Sequence, residues 1–267
     1  MNSPPAVAPF DRFLAGLDDG MAASRPVAGP DGHPGPPSWL SQVTAVLYDG
    51  QSAADARSWA LRVHGELDRL GGWVPLSVVH DWHAHGVVPL LTGAPAGQGG
   101  SPGPQREVAD LHRRALSGGH VGEAEWNAAL VPALRDVYRL AYAYEGAFAK
   151  AFAGAHAYAI DNDYGEERAD EFARTYAELN TTAGARSFAD ANALAHAQAM
   201  ARAFAAADER DHSGSWPFAL VQAYAHACAH QGGPVSGGAT AGHDDRLRAA
   251  YRELADRFAD SLSRATA

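Results

Sequence analysis

A stripe of polar side chains crosses an otherwise uncharged segment near the carboxyl end of the chain. Residues 215–231, SWPFALVQAYAHACAHQ, contain no Asp, Glu, Lys or Arg, which is typical of a helix buried on most sides. Gln222, His226 and His230 recur at intervals of four, so a helix places them on one face. Because histidine titrates near neutral pH, we predict that His226 transfers protons in an enclosed cavity, where Gln222 and His230 bind the substrate. A solvent-exposed polar face is the alternative.

The segment 187–204, SFADANALAHAQAMARAF, offers a second polar face to the same cavity. Asn192, His196 and Met200 are spaced four residues apart and share one side of a helix. We predict that His196 is a second proton-transfer group and that Asn192 contacts the substrate.

The alanine-rich stretch 141–162 carries two further candidates. At about 100° per residue, Glu145 and His156 fall near the middle of an apolar helix face that also includes Tyr138. An unpaired buried carboxylate is costly, so Glu145 must be protonated or paired if it is buried. We predict Glu145 and His156 as catalytic residues and Tyr138 as a substrate contact. A solvated helix end, or pairing of Glu145 with an arginine or tyrosine, is the alternative.

The motif HDWHAHG at residues 80–86 brings more histidines from the amino-terminal third. We predict that Trp82 and His83 complete the substrate site. Histidines near a helix end also complement the helix dipole, and that interpretation stays open.

Metal binding is a weaker interpretation of the same histidines. His226 and His230 form a His-x-x-x-His pair that could clamp a metal, but the glutamate of the zinc-protease motif is missing. The di-iron type of site needs two Glu-x-x-His pairs, whereas the chain has one, Glu209 and His212. We therefore predict no cofactor and no metal ligands, with a divalent metal as the minority alternative.

Helical spacing dominates the elements that must position these residues. Ser52 and Asp55 resemble a capping box, and apolar residues follow at helical intervals as far as Gly71. No run of alternating β-branched residues is present. The sequence predicts an all-α, alanine-rich bundle of about eight or nine helices without significant sheet. The alanines either let helices approach closely or reflect GC-rich coding, which the single lysine and single isoleucine also indicate.

Gly/Pro-rich stretches suggest where the chain divides. We predict a largely irregular segment 1–37, a helical subdomain 38–91, a loop or linker 92–105 and an alanine-rich bundle 106–267. One globular unit is favoured over two.

Charge and composition exclude several classes of function. The formal net charge is −10 and no Lys/Arg stripe is present, which argues against nucleic-acid binding. We expect no membrane association, since no long strongly apolar run occurs. The single cysteine and the absence of a signal-peptide pattern favour a cytoplasmic location. A homo-oligomer is compatible with this composition.

These features favour an enzyme that performs acid–base chemistry on a small molecule. A cyclisation, isomerisation or elimination in a cavity lined by His, Asn and Tyr would fit, and the GC-rich background suggests bacterial specialised metabolism. A non-catalytic helical module that binds a ligand or protein is the alternative.

Overall fold

The computed structural model describes residues 9–18, 37–93, 103–141, 145–162, 164–231 and 239–266. Within these ranges the chain forms twelve α-helices and one π-helical segment, and no β-strand. The predicted all-α class is confirmed, although the helices outnumber the eight or nine expected. Most of the predicted linker 92–105 lies outside the described residues.

The first half of the bundle is built from mostly short helices. These elements are α1 (Pro9–Asp18), α2 (Ser38–Asp49), α3 (Ala53–Arg69), α4 (Ser77–Trp82), the π-helical segment His83–Val87, α5 (Val88–Thr92) and α6 (Pro104–Leu116). Helix α1 lies inside the segment 1–37 that the sequence predicts to be largely irregular.

The second half contains the longest helices. They are α7 (Glu123–Ala141), α8 (Glu145–Asp161), α9 (Glu166–Ala206), α10 (Glu209–Gly214), α11 (Pro217–Gln231) and α12 (Ala239–Arg264). The helices outnumber the prediction in part because α5 and α10, with five and six residues, are too short for a hydrophobic period to reveal. Residues 142–144, within the helix face that the sequence analysis extends from Tyr138 to His156, lie outside the described ranges.

A side-chain cap fixes the start of α3. The Ser52 hydroxyl oxygen accepts a hydrogen bond from the Asp55 amide at 3.3 Å, and the hydroxyl donates to the Asp55 carboxylate at 2.8 Å. This contact confirms the capping motif that the sequence predicts.

The π-helical segment lies where a proline interrupts the helical hydrogen bonds. The amide of Val88 donates to the carbonyl of His83, five residues back, one residue before Pro89. Pro89 has no amide hydrogen and its ring crowds the carbonyl four residues earlier, that of His85. A side chain from α12 compensates, because Arg257 Nη1 donates to the His85 carbonyl at 3.5 Å. Gly86 permits this approach, since a Cβ there would lie 3.0 Å from the Arg257 Cβ.

One hydrophobic core joins helices from both halves of the chain. Trp59 of α3 and Trp82 of α4 donate their indole hydrogens to the carbonyls of Ala255 and Leu254 in α12, at 2.8 and 3.1 Å. Residues 38–91 and 106–267 therefore share their interior. Among the described helices, none combines the length and apolar character needed to cross a membrane.

Buried alanines line the contact between α8 and the amino-terminal half of α9. These residues are Ala155, Ala159, Ala169, Ala173 and Ala177, and each is at most 6 % exposed. Their small side chains allow the two helix axes to come close together. At these positions alanine has a packing role, whatever the coding bias contributes elsewhere.

Two residues with left-handed backbone conformations bracket the short helix α10. Ala207 has φ of 50° and Trp216 has φ of 52°, and they are the only non-glycine residues with positive φ in the described ranges. A side chain in this conformation costs about 1–2 kcal/mol. The chain accepts this cost at both ends of the element that carries His212 into the core.

We expect Ala207→Gly to stabilise the protein by about 1 kcal/mol, because glycine adopts the left-handed conformation at a helix end without strain. The matched control is Ala195→Gly, at an exposed position in the interior of α9, which should destabilise by about 1 kcal/mol. Urea unfolding followed by circular dichroism measures both. Equal destabilisation by the two variants would contradict the strain at Ala207.

Candidate functional site

Four histidines from separate elements meet in the interior of the bundle. They are His80 of α4, His83 of the π-helical segment, His112 of α6 and His212 of α10, and none is more than 7 % exposed. We call this group the histidine core.

The four rings of the histidine core surround one aromatic side chain. Phe204 of α9 contacts all four imidazoles, with ring centroids 5.0–6.2 Å apart. The Nδ1 atoms of His80 and His112 are 2.8 Å apart, so one ring donates a hydrogen bond to the other. His83 stacks on His112 with centroids 4.7 Å apart. Phe204 therefore joins His212 to the other three histidines.

Several nitrogens of the histidine core lack a hydrogen-bond partner among the described residues. His83 Nδ1 donates to the Val79 carbonyl at 2.8 Å, which leaves His83 Nε2 as an acceptor. That atom, His112 Nε2 and His212 Nδ1 are buried without a partner. An unsatisfied buried polar atom costs about 1–3 kcal/mol, so three of them in one cluster require an explanation.

A small cavity adjoins two of these histidines. Its lining consists of Trp39, Val43, Val79, Trp82, His83, His212, Pro217, Leu220, Val221 and Tyr224. The volume is about 10 Å³, close to the minimum for one ordered water. Trp39 adds a further buried donor without a described partner, its indole Nε1. The residues that line the cavity are apolar except for His83, His212, Tyr224 and the indole nitrogen of Trp39.

Burial keeps the imidazoles uncharged at neutral pH. It lowers the pKa of His80 and of His83 to about 4, and the pKa of His212 to about 3. Burial also lowers the pKa of His112 well below its ordinary value, and repulsion from the other three rings adds to the shift. The site therefore offers neutral imidazoles as donors and acceptors of hydrogen bonds.

The sequence predicts part of this site. Trp82 and His83 were expected to bind substrate, and the structure places both in the cavity wall. Sequence reasoning missed His112 and His212 as site residues. His112 lies beside Leu111 on the apolar face of α6, a position where the helical period indicates burial. No periodic pattern marks His212.

Two other predicted residues, Tyr138 and His196, contact each other outside the lining of the cavity. The Tyr138 hydroxyl is hydrogen-bonded to His196 Nδ1, and the His196 ring stacks on Trp216 with centroids 5.8 Å apart. Burial lowers the pKa of His196. Asn192, one turn earlier on α9, donates to the Phe188 carbonyl at 2.8 Å.

The stripe on α11 lies at the boundary between core and solvent. Gln222 is exposed, and His226 and His230 are partly exposed. Both histidine rings contact His243 of α12, with centroids 6.3 and 5.1 Å away. The expectation of an enclosed cavity is therefore corrected, because one face of α11 packs on the core while this face turns toward α12 and water. No described contact joins His226 to His196.

The remaining catalytic candidates lie on the hairpin of α8 and α9. His156 Nε2 is 3.4 Å from an Asp170 carboxylate oxygen, and its ring stacks on Phe152. His156 is partly exposed, so the expected closed environment is not what the structure has at this position. The side chain of Glu145 lies outside what the structure describes.

No cluster of three His, Cys, Asp or Glu side chains in the described part of the chain is arranged to hold a metal ion. Comparison with protein-family models finds no match, and comparisons with curated proteins and with solved structures find none either. Function is therefore inferred from the residues of this chain alone.

The histidine core should make the protein unstable in mild acid. Unfolded histidine has a pKa of about 6.5, so between roughly pH 6.5 and pH 4 the unfolded chain binds more protons than the folded one. The stabilisation is complete above about pH 6.5 and disappears as the pH falls through 4. The shifts of His80 and His83 are each worth roughly 3 kcal/mol, so the histidine core accounts for a large part of a typical total stability. We expect the urea midpoint to fall steeply between pH 7 and pH 5.

His212→Phe tests the source of this pH dependence. Phenylalanine keeps the aromatic contacts and removes an unpartnered nitrogen, so stability at pH 7 should be maintained while its loss toward pH 5 becomes smaller. The control is His120→Phe, at an exposed position, which should leave the pH profile unchanged. A urea midpoint that is constant between pH 7 and pH 5 in the wild type would contradict the assignment.

Proposed function

We propose that the protein is an enzyme that moves a proton within a small uncharged carbonyl compound at the histidine core. One observation carries this proposal. Nitrogens able to accept and to donate hydrogen bonds lie unpartnered beside the same apolar cavity. Clusters of titratable groups with strongly shifted pKa values are characteristic of functional sites.

His83 is the base in this proposal. Its Nδ1 hydrogen is held by the Val79 carbonyl, so Nε2 is free to take a proton from one atom of the substrate and return it to another. The indole hydrogen of Trp39 is a donor only, and it would stabilise the negative charge that develops on the carbonyl oxygen. Because no proton is gained or lost overall, the reaction is an isomerisation.

The substrate class follows from the charges around the cavity. Its lining contains no Asp, Glu, Lys or Arg, so a charged substrate would lose its hydration without finding an ion partner. A base whose pKa is about 4 removes only an activated proton, such as one next to a carbonyl group. No cofactor is part of this proposal.

Substrate entry requires the short helix α10 to move, because the closed cavity has room for about one water. Two hydrogen bonds hold α10 against α2. The Trp39 amide donates to the Ser213 hydroxyl at 3.0 Å, and Gln42 Nε2 donates to the Ser213 carbonyl at 3.1 Å. The left-handed residues Ala207 and Trp216 lie at its two ends, where a lid would hinge.

A non-catalytic binding protein is the second candidate function. The observation in its favour is the exposed aromatic surface on α8 and the amino-terminal half of α9. For either function we propose a cytoplasmic location, based on the single cysteine, and a role in bacterial specialised metabolism, based on the GC-rich composition.

Deuterium exchange tests the enzyme proposal without knowledge of the natural substrate. We expect the wild type, in D₂O at pH 7.5, to accelerate exchange of the hydrogens next to the carbonyl in at least one of a panel of small neutral ketones and aldehydes. The exchange is followed by proton NMR. His83→Gln keeps a hydrogen-bonding side chain but no base, so the enzymatic rate should fall by about 10²–10⁴-fold.

His120→Gln is the matched control, because it makes the same substitution at an exposed histidine and should leave the exchange rate unchanged. Near-ultraviolet circular dichroism verifies that both variants keep the native packing. The enzyme proposal fails if His83→Gln, while folded, exchanges the ketone as fast as the wild type. It also fails if no member of the panel shifts the NMR signals of the histidine core.

A further inference from the structure

Helix α8 and the amino-terminal part of α9 form a two-helix arm, which we define as residues 145–179. Helix α8 packs along α9, and no other described helix shares a comparable contact with it. Its partner α9 has 41 residues and is therefore about 60 Å long. The carboxyl-terminal half of α9 packs on α7, for instance through Arg139 and Asp190. The arm is thus joined to the rest of the bundle mainly along α9.

Large apolar side chains lie on the outside of this arm. They form a continuous surface that we call the aromatic face, made of Tyr158, Tyr164, Phe172, Tyr176 and Leu179. Phe172 contacts the rings of all three tyrosines at 5.7–6.2 Å between centroids. Tyr158 is 58 % exposed and Leu179 is 68 % exposed.

The contact between the two helices of the arm contributes little free energy from burial of apolar surface. Its contact is made by alanines, and each buried methyl group contributes only about 0.8 kcal/mol. Ordering a residue costs about 1–2 kcal/mol, and helices depend on tertiary packing for most of their stability. The arm therefore places its small side chains inside and its large ones outside, which is the arrangement of a helix pair that completes its core with a partner.

We propose that the aromatic face is a dimerisation surface, which packs against the same face of a second copy of this chain to form a four-helix bundle from two arms. This proposal goes beyond the enzymatic function and does not depend on it. Two-fold symmetric dimers are the commonest oligomers, and each copy then contributes the same surface. Four helices enclose an apolar interior that two helices leave open.

The area of the aromatic face fits a dimer. A large side chain buries about 150–250 Å² when it is fully covered. Four members of the aromatic face are about half exposed, namely Tyr158, Tyr164, Tyr176 and Leu179, so together they offer roughly 400 Å² of surface to a partner. Apolar atoms make up about 57 % of a typical interface, which corresponds to roughly 700 Å² on each partner. Stable interfaces of standard size bury about 800 Å² on each side.

The chemistry of the face is compatible with itself. No member of the aromatic face is charged, so the centre of the interface brings no like charges together. Each tyrosine hydroxyl both donates and accepts hydrogen bonds, so identical surfaces can pair. The net charge of −10 opposes association at long range, and salt screens it. We therefore expect a dimer with a dissociation constant in the micromolar range that tightens as salt is added.

Sedimentation velocity from about 1 to about 300 µM tests the proposal. The wild type should change from monomer to dimer across this range. Leu179→Glu and Tyr158→Glu each place a charge within the interface, from α9 and from α8, and should raise the dissociation constant at least about tenfold. The matched control is Leu61→Glu on α3, since Leu61 is 59 % exposed and should leave the dimer unchanged.

All three substituted residues are exposed, and far-ultraviolet circular dichroism verifies that the variants remain helical. A wild type that stays monomeric at about 300 µM in both low and high salt overturns the proposal. So does a dimer that Leu179→Glu and Tyr158→Glu leave as stable as in the wild type, because that interface would lie elsewhere.

Discussion

The structure depends on keeping four imidazoles uncharged around Phe204. A protonated ring in this aromatic interior would lose its hydration without gaining a counter-ion, and desolvation therefore holds each histidine neutral. Since the four rings come from α4, the π-helical segment, α6 and α10, their packing requires these elements to be in register at once. The four elements can pack together only while the imidazoles are neutral, and the imidazoles stay neutral only while this packing excludes water.

Two irregular features of the backbone position these rings. The π-helical segment adds a wide turn after His83, at the place where Pro89 disrupts the regular hydrogen bonds, and such turns are frequent at functional sites. The strained residues beside α10 direct His212 inward from a helix of six residues. Both features cost free energy locally. The aromatic packing around Phe204 compensates for this cost. The unusual backbone geometry at both places is therefore a consequence of packing in the histidine core.

Sequence reasoning recovers the all-α class and the start of one helix, and it singles out two residues of the candidate site. Repeated apolar spacing and the Ser52 cap are local signals, and the structure confirms both. Trp82 and His83 stood out in the sequence because both lie in the histidine-rich motif at residues 80–86. His112 and His212 are about 30 and 130 residues away from His83, and only the packing of helices brings them together. The α11 stripe is a second case that sequence reasoning could not decide. Spacing places Gln222, His226 and His230 on one helix face, but it does not show whether that face is buried or exposed to solvent.

Alanine has opposite consequences in the two parts of the molecule. Around the histidine core, small residues on α9 and α11 leave room for Trp, Phe and His rings, so the interior is filled by aromatic side chains. In the arm, alanine occupies the helix contact itself, and the large residues are displaced to the surface. The same composition thus yields a closed core that we expect to respond to pH and an exposed face that we propose to respond to protein concentration. The first property depends on desolvation of buried nitrogens and the second on exposed apolar area, so the two arise from different placements of the same small residue.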